Sequence, residues 1–270
     1  MSADPNRLVS NSPLVAYGTT ASYYTGKLEA YLRAKGIAYR LEPFSPSNMR
    51  RCADYTGVLQ IPQVECPDGS WLVDTTLILE HFERVRPEPA VSPRAPAVAF
   101  VSRLIEDYAD EWLWRPAPGR ILRERAPGVL EWVARMWNLR PARLEAAPLP
   151  ERLPEDLAAL LDPITGVYLP YLEANAAAYA KGERRVRYAV RGVPFAEPTK
   201  PYRVWCCDRL QRELCGLDAA DRAEVERALG ASEALARLAV SSPRPVPDLV
   251  GPLPLTAPPR GKAVDSWWRS

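Results

Sequence analysis

The sequence predicts an α/β domain followed by an all-helical domain. Three observations support this fold class: strand and helix patterns alternate over residues 1–88, four prolines crowd residues 87–96, and the patterns beyond that linker are mostly helical. A chain of 270 residues is long enough for two domains, and 47% hydrophobic with 25% charged residues is typical of globular proteins. The predicted parts are 1–88, 97–240 and a proline-rich tail at 241–270.

The first half of the α/β domain is predicted to be strand, helix, strand. Leu14 to Tyr17 is a short apolar run, typical of a buried strand. Ser22 is placed to cap a helix that ends near Gly36, and Tyr39 to Phe44 is a second strand candidate. The polar segment from Ser45 to Tyr55 indicates a short helix or a loop.

The second half of this domain is predicted to be a hairpin and a helix. Pro62 to Cys66 alternates as a strand does, Pro67 to Ser70 supplies a turn, and Trp71 to Val73 forms the partner strand. Asp74 and Thr75 then begin the last helix, since an acidic residue and a hydroxyl are common at this position. The predicted order is βαβ, an irregular helix, then ββα.

The second domain carries helical patterns with one exception. Arg184 to Arg191 alternates arginine with apolar residues, which predicts an amphipathic surface hairpin, or, as the alternative, a clamp for an anionic substrate. The helical patterns lie at 98–116, 121–138, 154–182 (interrupted at two prolines) and 202–238.

The single histidine and the five cysteines exclude several kinds of site. His81 is the one histidine, so Ser-His-Asp and Cys-His mechanisms would need it, and a multi-histidine metal site is excluded. We expect His81 to pack within its helix instead. The cysteine count is odd and no pair has CxxC spacing, which argues against a disulfide framework or a zinc site.

Charge and hydropathy predict a cytoplasmic protein without nucleic-acid or membrane partners. The net charge of +2 is too small for a strongly basic nucleic-acid binder. The N-terminus lacks a signal-peptide pattern, and no run approaches the ~18 apolar residues of a membrane span. The 30 arginines against 5 lysines favour a GC-rich, bacterial coding sequence.

Four segments, taken in order, resemble the glutathione S-transferase superfamily. They are Tyr17 to Tyr23, Gln60 to Val64, Asp74-Thr75, and Glu106 to Pro116. The resemblance implies a thioredoxin-like domain followed by a helical domain. It also implies glutathione as co-substrate, an apolar small-molecule electrophile bound between the domains, and a homodimer.

The resemblance assigns the catalytic role to Ser22, with Tyr17 as the alternative. A free thiol has a pKa near 8.5 and is mostly protonated at pH 7. A hydroxyl donor at the positive end of a helix would stabilise the thiolate. From the residues alone, a plain helix cap is the favoured interpretation of Ser22, and a thiolate donor is the alternative.

The resemblance also assigns a glutathione-binding set: Gln60, Ile61, Pro62, Asp74 and Thr75. A cis bond before Pro62 would present the backbone of Ile61 to an extended peptide, and Thr75 would donate to the γ-glutamyl carboxylate. Without the resemblance, a trans proline and a plain N-cap remain the simpler interpretations.

For the second substrate, the resemblance points to Tyr23 and to the first helix of the helical domain. The candidates there are Tyr108, Asp110, Glu111, Trp114 and Arg115. The simpler interpretation treats the acidic residues of this helix, including Glu106 and Asp107, as a solvated face.

Two other functions remain open at this stage. One is an isomerase, lyase or cyclase of specialised metabolism that uses carboxylates such as Asp110 or Glu111 and consumes no thiol. The other is a non-catalytic binding protein that kept the fold. If the source is an actinobacterium, the thiol could be one other than glutathione.

Overall fold

The computed structural model describes residues 13–113, 149–154, 157–190, 192–230 and 233–240. Within these ranges the chain forms two compact units, which divide between Ser92 and Pro93 inside the predicted linker. Trp114, Arg115, the predicted helix at 121–138 and the tail at 241–270 lie outside the described residues. None of the described helices is both long and apolar enough to cross a membrane.

The first unit is a four-stranded sheet with three helices, and it confirms the predicted thioredoxin-like fold. The strand order is β2-β1-β3-β4, with β1 parallel to β2 and antiparallel to β3, and β3 antiparallel to β4. The elements are β1 Leu14–Gly18, α1 Tyr23–Ala34, β2 Tyr39–Pro43, α2 Pro46–Thr56, β3 Gln63–Glu65, β4 Trp71–Val73 and α3 Thr75–Val85.

Each helix of this unit begins at a side-chain cap that the sequence supplies. Ser22 caps α1, Ser45 caps α2, and Asp74 caps α3 through hydrogen bonds from backbone N–H groups of the first turn. The polar segment 45–55 is therefore a full helix. It begins at Pro46 and ends at Thr56, and the following cap residue, Gly57, has a φ of +76° that suits a residue without a side chain.

The pairing register gathers several chain segments at one edge of the sheet. Tyr17 lies opposite Gln63, and Gln63 lies opposite Val73, so the ends of β1 and β4 lie beside the start of β3. Gly18 pairs with Pro43, which brings the end of β2 to the same edge. All three helices therefore begin at this edge, which we call the helix-start edge.

The two faces of the sheet are covered differently. On one face, Trp71 is stacked between Tyr17 and Tyr55, with ring centroids 5.3 and 5.0 Å apart, and this stack holds α2. The other face packs an aliphatic core in which Leu28 of α1 and Ile78 of α3 are fully buried. The stack therefore holds the ring of Tyr17 against the sheet.

The second unit is helical apart from one hairpin, also as predicted. Two stretches, Ala109–Leu113 and Ile164–Tyr168, are π-helical extensions of the neighbouring α-helices. The remaining described elements are α4 Pro96–Tyr108, α5 Leu157–Pro163, α6 Leu169–Ala180, β5 Arg185–Val190, β6 Val193–Pro198, α7 Pro201–Gly216, α8 Ala219–Leu229 and α9 Glu233–Val240.

The hairpin appears where the alternating arginine pattern predicted it. β5 and β6 pair antiparallel from Arg185↔Pro198 to Val190↔Val193. Val186 is fully buried, and the Tyr188 ring lies 4.9 Å from the ring of Tyr171 on α6. One face of the hairpin therefore packs on the helical core, while its arginines lie on the exposed face.

Candidate functional site

Ser22 lies at the helix-start edge, in the short connection between β1 and α1. Its backbone N–H donates to Thr19 O at 2.9 Å, and its Oγ accepts from Thr25 N at 3.2 Å. Within the described chain, no group accepts the hydrogen of the Ser22 hydroxyl. A serine oxygen has two lone pairs and one hydrogen, so Ser22 can cap the helix and still donate.

Gly18 and Thr25 fix this connection, and the sequence analysis did not single them out. A Cβ added at Gly18 would lie 2.5 Å from Thr25 Oγ1 and 2.8 Å from Thr25 Cγ2. Thr25 is fully buried, and its Oγ1 accepts from Thr19 N at 3.3 Å. The sequence does indicate this contact, because a glycine directly after a buried strand is typical of a position where another chain segment lies close to the backbone.

The Tyr17 hydroxyl is occupied by other protein groups. It donates to Glu65 Oε2 at 2.7 Å, and Arg51 Nε donates to it at 3.2 Å, while Arg51 also forms an ion pair with Glu65. Burial, and then the bond to Glu65, raise the pKa of Tyr17 to about 12. This phenol therefore stays protonated, with its hydrogen directed at Glu65.

The segment before β3 leaves one residue with an unpaired backbone. The Ile61–Pro62 bond is cis, as expected from the resemblance. The N–H and C=O of Ile61 form no hydrogen bond within the part of the chain that the structure describes.

Gln63 fixes this segment from inside the protein. Although it lies close to the proline in sequence, its side chain is fully buried and cannot reach a ligand. Its Nε2 donates to Val58 O at 2.9 Å and to Gln60 O at 3.0 Å, and its Oε1 accepts from Thr56 Oγ1 at 3.0 Å. Gln60 is half-buried, and its side chain makes no hydrogen bond to a described residue. Of the two glutamines, Gln60 is therefore the one placed to meet a ligand.

Asp74 and Thr75 form the third part of the helix-start edge. Asp74 Oδ1 accepts from Thr76 N at 3.0 Å and from Leu77 N at 3.5 Å, so the carboxylate caps α3. Its φ of +70° is unusual for a residue other than glycine, and such backbone costs roughly 1–3 kcal/mol. The N–H and hydroxyl of Thr75 have no hydrogen-bond partner among the described residues.

A cleft of about 580 Å³ opens at the same edge, between the ends of β1 and β2. Its apolar wall comes from Leu41 and Phe44, and its polar groups come from Thr19, Thr20 and Ser45. The β2 side of this cleft escaped the sequence analysis. The carboxyl ends of adjacent parallel strands meet at one edge, and this rule could have identified it.

The cysteines and the histidine of the first unit are unsuited to nucleophilic or acid–base chemistry. Burial raises the pKa of both Cys52 and Cys66 to about 12, so these thiols stay protonated. Burial also lowers the pKa of His81, which is 4% exposed and packs edge-on against Phe82. No group of three or more potential metal ligands occurs among the described residues.

The acidic residues predicted to form a solvated face are mostly engaged in the interior, so that interpretation was wrong for Asp107 and Asp110. These two side chains are 2% and 5% exposed. Asp107 pairs with Arg209 of α7, and Glu111 pairs with Arg203 of the same helix. The partners lie 102 and 92 residues away in sequence, which no local pattern reveals.

The remaining candidates for the second substrate are placed as follows. Tyr23, in the first unit, is 51% exposed and contacts Tyr24 edge-on at 5.5 Å. Tyr108, in the second unit, is half-buried, with its ring 5.6 Å from that of Tyr168. The structure thus brings five predicted site residues to one edge of the first unit: Ser22, Ile61, Pro62, Asp74 and Thr75. Gln60 directly precedes Ile61 in the chain.

Comparison with known proteins identifies the first unit. Residues 21–85 match the family model of the glutathione S-transferase N-terminal domain. No curated protein is significantly similar to the chain.

Several solved structures are similar at low identity. A maleylacetoacetate isomerase from Anaeromyxobacter dehalogenans, crystallised with dicarboxyethyl glutathione, is 20% identical, with 91% of this chain and 100% of that chain covered and a TM-score of 0.31. The Tau class glutathione S-transferase of mango, Mangifera indica, is 16% identical over 82% and 97% of the two chains, with a TM-score of 0.36. A glutathione S-transferase from Rhodospirillum rubrum is 16% identical over 93% and 98%, with a TM-score of 0.37. Similarity at this level carries no argument about what this chain does. By the family model, residues 21–85 of this chain carry the N-terminal domain of the glutathione S-transferase superfamily.

Proposed function

We propose that the protein is a glutathione transferase-like enzyme in which Ser22 stabilises the thiolate of glutathione for attack on an apolar electrophile. The observation that carries the proposal is the Ser22 hydroxyl, which caps α1 at the helix-start edge and keeps its hydrogen available for a ligand. Tyr17, the alternative donor, has its hydrogen on Glu65.

The energies involved are adequate for thiolate activation. Lowering a thiol pKa from about 8.5 to about 6.5 requires ~2.7 kcal/mol of preferential interaction with the thiolate. A hydrogen bond to a charged group contributes ~1.5–3 kcal/mol. A helix N-terminus adds ~0.3–1 kcal/mol, so the two together reach the required range.

The rest of the helix-start edge suits an anionic tripeptide. Glutathione in its reactive form carries two carboxylates and a thiolate, and three helix N-termini meet at this edge. We assign the unpaired N–H and C=O of Ile61 to the peptide backbone, as in the addition of a strand to a sheet edge. We assign the N–H and hydroxyl of Thr75 to the γ-glutamyl carboxylate.

The electrophile is assigned to the cleft beside the β1–α1 connection. Leu41 and Phe44 supply apolar surface there, and Thr19 and Thr20, which line the same cleft, directly precede Ala21 and Ser22 in the chain. An apolar substrate would lose water on entering such a cleft, which favours its binding. Tyr23 and Tyr108 remain candidate contacts of the second substrate.

The test is conjugation of glutathione to a chromogenic aromatic electrophile, followed across pH. We expect Ser22→Ala to lower the rate of the chemical step about 100-fold, as for removal of one transition-state donor. We also expect it to raise the apparent pKa of bound glutathione, while the affinity for glutathione changes little. Ser22→Thr keeps the hydroxyl and should retain most of the rate.

Two controls separate the donor from the cap. Ser22→Asn keeps an N-capping side chain but lacks the hydroxyl, so it should preserve stability and lose activity. Asp218→Ala removes the cap of α8, whose Oδ1 accepts from Asp221 N at 2.9 Å, and should leave the rate unchanged. A wild-type rate in Ser22→Ala would eliminate Ser22 as the donor. Turnover with another thiol but not glutathione would change the co-substrate, and glutathione binding without turnover would indicate a binding protein.

A further inference from the structure

The two outer edges of the β5–β6 hairpin differ in chemistry. Thr199 N donates to Arg184 O at 3.0 Å, which marks this pair as hydrogen-bonded. In an antiparallel ladder such pairs alternate with pairs whose backbone groups point outward. By this alternation, three residues of β5 direct their N–H and C=O groups away from β6: Arg185, Arg187 and Ala189. Their partners on β6 direct their backbone groups away from β5: Pro198, Ala196 and Pro194.

The outer edge of β6 is closed to another strand. Pro194 and Pro198 occupy two of its three outward positions, and proline has no N–H to donate. The third position, Ala196, already accepts a hydrogen bond at its C=O from Arg185 Nη2 at 2.7 Å. Prolines on an edge strand are a common means of preventing further pairing.

The outer edge of β5 remains open. Arg185, Arg187 and Ala189 are exposed, and their backbone N–H and C=O groups form no hydrogen bond with any residue that the structure describes. Three successive outward positions present the alternating donors and acceptors that an added strand requires. Only one of the two edges is therefore protected by proline.

The side chains beside this open edge favour an acidic partner. Arg185 and Arg187 lie on one face of the strand and both are exposed. The Arg185 guanidinium donates to Ala196 O on β6, whereas the Arg187 guanidinium forms no hydrogen bond or ion pair with a described residue. On the other face, Val186 is buried and Tyr188 is half-buried, so a neighbouring strand would meet apolar side chains there. A second copy fits poorly, because antiparallel pairing centred on Arg187 would place two Arg187 side chains opposite each other.

We propose that the outer edge of β5 binds an extended peptide segment of a partner protein by strand addition, with a carboxylate opposite Arg187 and apolar residues at the alternating positions. Main-chain hydrogen bonds to Arg185, Arg187 and Ala189 give affinity, and the Arg187 guanidinium selects an acidic residue. This surface belongs to the second unit and is independent of the proposed transferase activity.

The test uses a fluorescein-labelled peptide of about six residues, alternating Glu and Val, titrated with the full chain and followed by anisotropy. We expect saturable binding that weakens as salt rises, since exposed charge pairs are screened. Arg187→Glu should weaken binding at least about tenfold. Arg184→Glu makes the same charge change on the opposite face and should alter binding less than about twofold.

Backbone pairing has its own controls. Alternate residues of the bound peptide direct their N–H groups toward β5, and the residues between them direct theirs away. N-methylation of the first group of residues should therefore abolish binding, and N-methylation of the second group should leave binding intact. Pro194→Ala/Pro198→Ala changes only the β6 edge, so the affinity for the peptide and the stoichiometry of one peptide per chain should stay unchanged.

Several outcomes would overturn the proposal. No binding up to about 1 mM, equal binding of a Lys–Val peptide, or an equal effect of Arg184→Glu would exclude specific strand addition. A dimer seen by sedimentation in the wild type and lost in Arg187→Glu would make the occupant a second copy of this chain.

Discussion

Polar groups are handled in opposite ways by the two units. At the helix-start edge of the first unit, Ser22, Ile61 and Thr75 keep hydrogen-bonding groups that no described residue occupies. In the core of the second unit, Asp107 and Arg209 are both almost completely buried and are paired with each other. The first arrangement leaves groups for a ligand, and the second uses polar groups to join helices.

This difference separates residues available to bind a ligand from residues that stabilise the fold. A buried polar group without a partner costs free energy, whereas an exposed one bonds to water and can exchange that water for a ligand. Asp107 and Arg209 instead find their opposite charges within the protein, through the contact between Arg209 Nη2 and Asp107 Oδ1. We therefore expect substitutions at the helix-start edge to change activity, and substitutions at the buried pair to change stability.

The largest expected effect on stability comes from breaking the buried pair. Arg209→Met leaves the Asp107 carboxylate buried without its cation, which should lower the free energy of unfolding by about 3–5 kcal/mol. Urea unfolding followed by circular dichroism measures this change.

An exposed pair on the same helix provides the matched control. Arg212 Nε lies 2.7 Å from Asp208 Oδ2, but the Arg212 side chain is 68% exposed. Arg212→Met should therefore cost less than about 1 kcal/mol. The double variant Asp107→Leu/Arg209→Met should recover much of the loss, because it removes both charges. Equal effects of Arg209→Met and Arg212→Met would show that burial of the pair is unimportant.

A smaller effect is expected where the first unit packs its backbone closely. Gly18→Ala introduces a Cβ 2.5 Å from Thr25 Oγ1, so the β1–α1 connection must shift, at a cost of about 1–3 kcal/mol. Because Ser22 lies in the same connection, the conjugation rate should fall as well. Unfolding and conjugation assays on one preparation report both changes.

Gly166→Ala is the control for this substitution, since a Cβ there meets no atom within 4 Å. It should be neutral or slightly stabilising, because alanine favours helical backbone. Thr25→Ser removes the methyl group that lies 2.8 Å from the added Cβ and should partly rescue Gly18→Ala. A fully active and stable Gly18→Ala variant would show that the connection is not tightly held.

Features that depend on residues close together in sequence were predicted, and features that depend on residues far apart were not. The caps at Ser22 and Asp74 and the hairpin in residues 184–198 depend on neighbouring residues, and local patterns predicted them. The pairing of Asp107 with Arg209 spans 102 residues, so the acidic run was taken for a solvated face.

The candidate site shows the same limit. Ser22, Ile61 and Thr75 were predicted because each lies in a motif of a few residues. The order of these motifs along the chain resembles that of a known family. The β2 wall of the cleft and the use of the Tyr17 hydroxyl by Glu65 depend on which strands are adjacent. Periodicity does not specify strand order, and this part required the structure.

The most gradual expected effect is a dependence of stability on alkaline pH that arises in the first unit. The folded state holds the protons of Cys52 and Cys66 to a pKa of about 12, whereas an unfolded cysteine loses its proton near 8.5. The folded protein therefore binds more protons above pH 9, and its stability must fall as pH rises from about 9 to 12. Each thiol contributes a slope of at most ~1.4 kcal/mol per pH unit, and this stability is fully present below pH 8. Urea midpoints between pH 8 and 10 should decline in the wild type and decline less in Cys52→Ala. The cavity that this substitution leaves lowers stability by the same amount at every pH, so it does not change the slope of stability against pH. An unchanged slope in Cys52→Ala and in Cys66→Ala would mean that neither thiol is shielded from water as the structure places it.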